Sequence, residues 1–308
     1  MNAKDFNALV ELAMKRPGLK SMRPVVEKEI LHYDIFQALN SADLLKHLVF
    51  QGGTSLRLCR GSDRFSEDLD FAGGKDFNSS RMKNIKECVE NHIGKRYDLL
   101  VTVKEPKDST VSDHEIDNIT VDKWTVTVET SPENRFLPRQ KIKLEIANIP
   151  AYTKELVPLL DHYDFLAGMN TVLVNTESIS EIMADKVVAF PTSLIDRSGA
   201  TLDITSKRIR HRDIWDLAWL AKKRATLDPQ MVLNKVNDYG ILNFEAMLDH
   251  AIDRLPIVVT SKEFKDQMER FIDAETAKQT LHDEAYLAYL ISTVTSTLGD
   301  MKEHFSRV

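Results

Sequence analysis

At 308 residues the chain is long enough for two ordinary domains, and its apolar (43%) and charged (29%) fractions are those of a globular protein with a full core. A net charge of −6, from 41 basic and 47 acidic residues, excludes a globally basic nucleic-acid coat but not a local basic patch. Cys59 and Cys88 stand in no Cys-x-x-Cys or Cys/His grouping, which excludes a disulfide framework and a zinc ribbon and fits a reducing cytoplasm.

The first residues are polar and broken by charges, without the apolar run of a secretory leader. No stretch approaches the roughly 18 consecutive apolar residues of a membrane span, so a cytoplasmic protein with no membrane partner is expected. Residues 25–46 read as a helix, with Val26, Ile30, Tyr33 and Leu39 at mixed three- and four-residue spacing. The apolar run Leu48-Val49-Phe50 stops at Gly52-Gly53 and a helix-compatible Thr-Ser-Leu-Arg-Leu follows, which reads as strand, glycine turn, helix. Residues 68–72 alternate acidic and apolar side chains as a second short strand, and 79–96 look helical.

Residues 97–104, 121–130 and 141–147 read as extended, separated by turn-rich stretches at 105–118 and 131–139. In the third, Ile142, Leu144 and Ile146 alternate with Lys141, Lys143 and Glu145. A last strand is expected at 171–175, after which the pattern turns helical. Ser178 and Glu181 are spaced as a capping box that starts a helix at Ile179. Asp213 and Asp216 stand in a similar relation ahead of 215–220, and further helices are expected at 229–239, 244–253, 262–274 and 283–304. The fold class is therefore α+β: residues 1–176 form a mixed α/β domain with N-terminal helices, and 177–308 a helical domain.

The densest chemical signal is Gly52-Gly53-Thr54-Ser55 followed by Asp68-Leu69-Asp70. Carboxylates two apart on a strand share a face, about 7 Å apart at Cα, and bound divalent cations would remove their repulsion. Glycines before a helix N-terminus let the backbone approach an anion, and the unpaired N–H groups favour phosphate. Together these residues are the minimum equipment for phosphoryl or nucleotidyl transfer. Glu145 either completes a metal triad, should its strand lie beside the Asp68/Asp70 strand, or belongs to an ordinary solvent face with Lys141 and Lys143. Lys186 falls inside the apolar stripe of Ile179, Ile182, Met183 and Phe190: its ammonium either points inward toward phosphate charge or snorkels to water. Read alone, Asp213 is a helix N-cap with Asp216 in the first turn. The run Lys207, Arg208, Arg210, Arg212 is either a phosphate-tracking RNA surface or a solvated loop.

FQGGTSLRL, GSDRFSEDLDF, IMADKVVAF and RHRDIWDL occur in the order seen in AbiEii-type nucleotidyltransferases, and across residues 25–220 the chain resembles that family of toxin–antitoxin and abortive-infection toxins. The acidic Glu27–Lys28–Glu29 segment also sits where that family carries a similar helix. The resemblance implies a DNA polymerase β-like nucleotidyltransferase domain, with the helical domain contributing Lys186 and Asp213 to its cleft. Carried over by motif, Gly52, Gly53, Thr54 and Ser55 would hold the triphosphate, with Ser66 near the nucleotide and Lys186 on phosphate. Asp68 and Asp70 would bind Mg²⁺ at a two-metal site, Asp213 would be a further acidic catalytic residue, and Glu145 is a looser transfer. The implied activity is Mg²⁺-dependent transfer from an NTP to the 3′ end of tRNA, blocking translation, with a separately encoded antitoxin as partner. Two other readings stand beside it: nucleotidylation of a protein or small molecule, and a non-catalytic nucleotide- or RNA-binding module. A Walker A lysine, HExxH and GxSxG are all absent, which removes P-loop, zincin and α/β-hydrolase readings.

Overall fold

The computed structural model describes residues 5–106, 119–134, 136–167, 170–196 and 198–305, so most of the 105–118 stretch expected as a loop lies outside the described residues. The chain divides into two compact units, Met1–Glu177 and Ser178–Val308.

The first unit opens with α1 (Phe6–Met14), one of the N-terminal helices expected there, although the sequence pattern sets no bounds for it. Asp5 caps it by accepting from the Ala8 N–H, and Phe6, Leu9, Val10 and Ala13 bury one face. Helix α2 (Arg23–Ser41) has Pro24 in its first turn and ends before the expected 46, with a short 3₁₀ turn at Leu45–His47. Strand β1 (Val49–Gln51) leads through Gly52 into α3 (Gly52–Arg60), and β2 (Leu69–Ala72) follows. The expected helix at 79–96 is a 3₁₀ turn at Ser79–Met82 and then α4 (Ile85–Tyr97). Tyr97 belongs to this helix rather than to the next strand, because its ring is buried and its hydroxyl donates to Asp34 at 2.9 Å. Asp98 then takes a left-handed conformation (φ 55°) and ends the helix.

Strands β3 (Val101–Lys104), β4 (Val121–Val128) and β5 (Gln140–Ala147) follow, and then β6 (Glu155–Pro158) and β7 (Leu173–Thr176). Among the described residues these seven strands make one mixed sheet in the order β3-β4-β5-β2-β1-β7-β6. Strand β5 lies parallel to β2, and β7 lies parallel to β1. Trp124, Val126, Val128, Ile142, Leu144, Ile146, Leu69 and Phe71 are buried on one face. Helices α2 and α4 pack there, Phe36 meeting Phe50 with ring centroids 4.9 Å apart. Strand β6 went unread because its four residues are mostly exposed and end in proline, which an edge strand tolerates.

The second unit is helical: α5 (Ile179–Thr192), α6 (His211–Lys222), α7 (Pro229–Asp238), α8 (Phe244–Thr260), α9 (Lys262–Glu269), α10 (Ala274–Thr280) and α11 (Glu284–Phe305). Ser178 Oγ accepts from the Glu181 N–H and starts α5 where the capping spacing predicts. Helix α8 runs past the expected 253 and through Pro256, because Leu255, Val258 and Val259 keep burying the same face. That burial outweighs the hydrogen bond lost at proline. The helix expected at 262–274 ends at Glu269, and α10, which has no expected counterpart, starts at Ala274, where Asp273 caps it by accepting from the Glu275 and Thr276 N–H groups.

Candidate active site

The glycine turn is tight for a chemical reason. Gly52 adopts φ +76° where β1 passes into α3, and it follows Gln51, the register partner of Asp70. A Cβ at Gly52 would lie 3.1 Å from Asp70 Oδ2, and one at Gly53 would lie 2.0 Å from Nη2 of the buried Arg64. The pair therefore lets a carboxylate and a guanidinium lie against the first turn of α3. The N-cap residue, Gln51, makes no side-chain cap hydrogen bond, and the leading N–H groups of α3 form the positive end of a helix, a place suited to an anion. The hydroxyls of Thr54 and Ser55 face inward: both residues are buried, Thr54 Oγ1 donates to Asp68 O, and Ser55 Oγ donates to Gly52 O at 2.8 Å. Their side chains build the turn, against which lies Arg64, whose Nη1 donates to Phe65 O at 3.0 Å. Ser66 is buried in the segment joining α3 to β2.

The parallel pairing of β2 with β5 sets Asp70 opposite Glu145, which meets the condition on which a third carboxylate depended. On the far side of Glu145, Lys123 donates to its Oε1 at 2.8 Å, and Lys143 Nζ lies 3.5 Å from Asp68 Oδ2. Among the described residues no three His, Cys, Asp or Glu side chains are gathered as a metal cluster. The donor chemistry nonetheless fits a hard divalent cation, being carboxylate oxygen without sulfur or imidazole. The two lysines are counter-charges to Asp68 and Glu145, on partly exposed pairs that are weak in water.

Behind the turn lies a buried network. Arg57 of α3 forks onto Glu29 of α2, Nε to Oε2 at 2.8 Å and Nη2 to Oε1 at 3.1 Å, and its Nη1 donates to Ser62 O at 2.9 Å. Tyr163 OH adds a third donor to Glu29 at 2.8 Å. Burial opposes the ionisation of Glu29, yet the Arg57 charge and hydrogen bonds outweigh it and hold the carboxyl below its ordinary range. Glu27 accepts from Thr130 Oγ1, Gln140 Nε2 and Arg23 Nε. The acidic segment of α2 thus anchors the unit internally. His32 is fully buried, with Nε2 at 3.0 Å from Glu67 O beside Asp68, and burial lowers its pKa.

In the second unit, Lys186 of α5 is 5% exposed, which excludes snorkelling. Its Nζ lies 2.6 Å from Asp213 Oδ1 and 3.1 Å from Asp216 Oδ2, both on α6. Asp213 is not the N-cap read from spacing: α6 begins at His211, the cap position is Arg210, and Asp213 is a buried first-turn residue. Its second oxygen accepts from Arg210 Nε at 2.7 Å. Burial disfavours its charge, but Arg210 and Lys186 prevail and keep Asp213 well below the usual carboxylate range. Of the basic run, Arg210 is thereby tied to Asp213, and the Arg212 guanidinium stacks 4.5 Å from the Phe271 ring centroid. Lys207 and Arg208 are exposed. A second buried ion cluster lies on the same helix: Lys235 of α7 reaches Glu181 at 2.8 Å and Asp185 at 3.0 Å. Arg64, Lys123 and Lys235 escaped sequence reasoning, since each gains its partner through tertiary structure; Arg64 alone had a local signal, its place two residues before Ser66.

Residues 34–290 match the family model described as nucleotidyl transferase AbiEii toxin, type IV toxin–antitoxin system. Among solved structures, the chain is similar to MenT4, a nucleotidyltransferase toxin from Mycobacterium tuberculosis H37Rv, with 17% identity, TM-score 0.57, and 96% of this chain and 89% of that one covered. It is also similar to JHP933 from Helicobacter pylori, with 20% identity, TM-score 0.46, and coverage of 92% and 97%. No curated protein matches.

Proposed function

The chain belongs to the AbiEii family of nucleotidyl transferase toxins of type IV toxin–antitoxin systems, and from that premise we propose that it transfers nucleotides from an NTP to the 3′ end of tRNA in a divalent-cation-dependent reaction. The observation that carries this reading is the register of Asp70 with Glu145, one strand from the glycine turn and beside Asp68. A hydroxyl oxygen bonds to the α-phosphorus of the NTP as the bond to the bridging oxygen of pyrophosphate breaks. The α3 N–H groups and Arg64 hold the phosphates in line, and Glu145 accepts the hydroxyl proton. Asp68 and Asp70 are the residues that would hold Mg²⁺, which supplies charge neutralisation on the triphosphate when bound. Lys186 and Asp213 are assigned to the machinery through the motifs in which they stand, IMADKVVAF and RHRDIWDL.

Blocking acceptor ends would stop translation, and the family implies a separately encoded antitoxin to restrain it. No described helix is long and apolar enough to cross a membrane. A cytoplasmic location is proposed because both substrates reside there. The test is incubation of the protein with total tRNA, Mg²⁺ and each labelled NTP in turn, beside Asp68→Ala and Lys186→Ala. Label on tRNA from one NTP, lost in both variants, supports the reading. Label on a protein or small molecule instead would sink the tRNA acceptor and retain nucleotidyl transfer. NTP binding with no transfer to anything would overturn catalysis.

A further inference from the structure

The face of the sheet opposite α2 and α4 has a pattern that only the strand register reveals. Asp70, Glu145 and Lys123 stand side by side across β2, β5 and β4. One step along, Lys143, Thr125 and Lys104 form the next row across β5, β4 and β3, with Asp68 beside Lys143. The third row is Lys141, Thr127 and Thr102. Asp68, Asp70 and Glu145 thus occupy one end of this face, four lysines spread over these rows, and Glu129, paired with Arg139 at 3.0 Å, closes the far end. All four lysines are exposed, Lys123 and Lys143 by nearly half of their side chains.

Lys104 and Lys141 carry the positive charge of the strip outward from the acids, and cations set along one face raise the local concentration of an anion laid across them. The two lysines nearest the acids have partly exposed carboxylate partners, and such pairs contribute only about 0–1 kcal/mol, a small cost for a phosphate that takes the carboxylate's place. Three strands span about 10 Å, which suits one polynucleotide strand laid flat and is too narrow for a duplex. Rows recur every second residue, so cations repeat along the strip as backbone phosphates repeat along a chain. The interspersed threonine hydroxyls add sequence-independent hydrogen bonds to phosphate and sugar.

We propose that a single-stranded RNA 3′ end lies along the open face of β3, β4 and β5, with its phosphates on Lys104, Lys123, Lys141 and Lys143 and its terminal hydroxyl toward Asp68, Asp70 and Glu145. The inference rests on the nucleotidyl-transfer reading and adds to it the path of the acceptor. Lys104 and Lys141, the pair farther from the carboxylates, provide the test. Binding of a short fluorescent single-stranded RNA is measured by anisotropy against salt concentration, in EDTA and without NTP, for the full chain and for Lys104→Gln/Lys141→Gln. Each phosphate contact contributes about 0.7 to the slope of log affinity against log salt, so the double variant is expected to lose about 1.4. Lys104→Arg/Lys141→Arg is expected to keep the slope, and the melting temperature to stay unchanged in both. An unchanged slope in the glutamine variant overturns the proposal. So does equal displacement of the RNA by poly-glutamate of matched charge, which would assign the strip to an acidic protein. Because no turnover is involved, a lost slope in a chain that transfers nothing would retain this surface and sink the transfer reading. An unchanged slope in an active enzyme would do the reverse.

Discussion

Gly53 owes its identity to Arg64, and that dependence can be measured. In Gly53→Ala the new Cβ meets the end of a long side chain, so the guanidinium shifts while the fold persists. The expected result is a KM for NTP raised roughly tenfold, about 1.4 kcal/mol of lost binding, with little change in melting temperature. Gly52→Ala behaves differently, because its φ of +76° is itself unfavourable to a side chain. It is expected to cost about 1–2 kcal/mol of stability in urea unfolding. The glycines and the Asp68/Asp70 pair were legible in the sequence because a strand's period of two and a turn's need for glycine are local rules. The inward hydroxyls of Thr54 and Ser55 were not, since their acceptors are backbone carbonyls that only the folded turn presents.

Helices α5, α6 and α7 are fastened by two buried lysines rather than by apolar contact alone. Removing one member of a buried ion pair strands its partner's charge, which typically costs about 3–5 kcal/mol. Lys186→Met is therefore expected to lower unfolding stability on that scale, and Lys235→Met similarly. A Lys186 that served phosphate alone would leave urea denaturation unmoved, so its midpoint discriminates the two roles. Element boundaries were read well where caps are local: Ser178 starts α5 and Pro229 starts α7. Elsewhere long-range terms decided. Asp213 passes for a cap by spacing, yet its carboxylate is claimed by Lys186 from another helix and by Arg210. Helix α1 was expected only as an unbounded N-terminal helix, although Phe6, Leu9, Val10 and Ala13 stand at helical spacing.

Across the whole chain, two buried aspartates pull stability in opposite directions with pH. Burial raises Asp34 to about 6, against the opposing pull of Arg96 and the Tyr97 hydroxyl. Between that value and the unfolded value of about 3.9, the folded chain holds a proton that the unfolded chain has released, so this group's contribution to stability rises as pH falls. Asp213, held low, contributes stability above the ordinary aspartate range and loses it only in stronger acid. Urea melts of the wild type and Asp34→Asn are expected to converge in favour of the wild type as pH falls from 7 to about 4; parallel curves would show that Asp34 is already ionised at little cost. Chelation is a second global test: EDTA is expected to abolish transfer to tRNA, and Mg²⁺ to restore it, with little shift in melting temperature, since carboxylates and lysines already neutralise one another on the sheet face.

The buried fork between Arg57 and Glu29 is completed by Tyr163, which lies 134 residues beyond Glu29 in the chain. During synthesis the helix that begins at the glycine turn has no complete seat until that tyrosine has left the ribosome, and a chain emerges from its N-terminus onward. More than half of the 308 residues are therefore made before this fork can be completed, and a chain that stops short of Tyr163 leaves Glu29 one donor short.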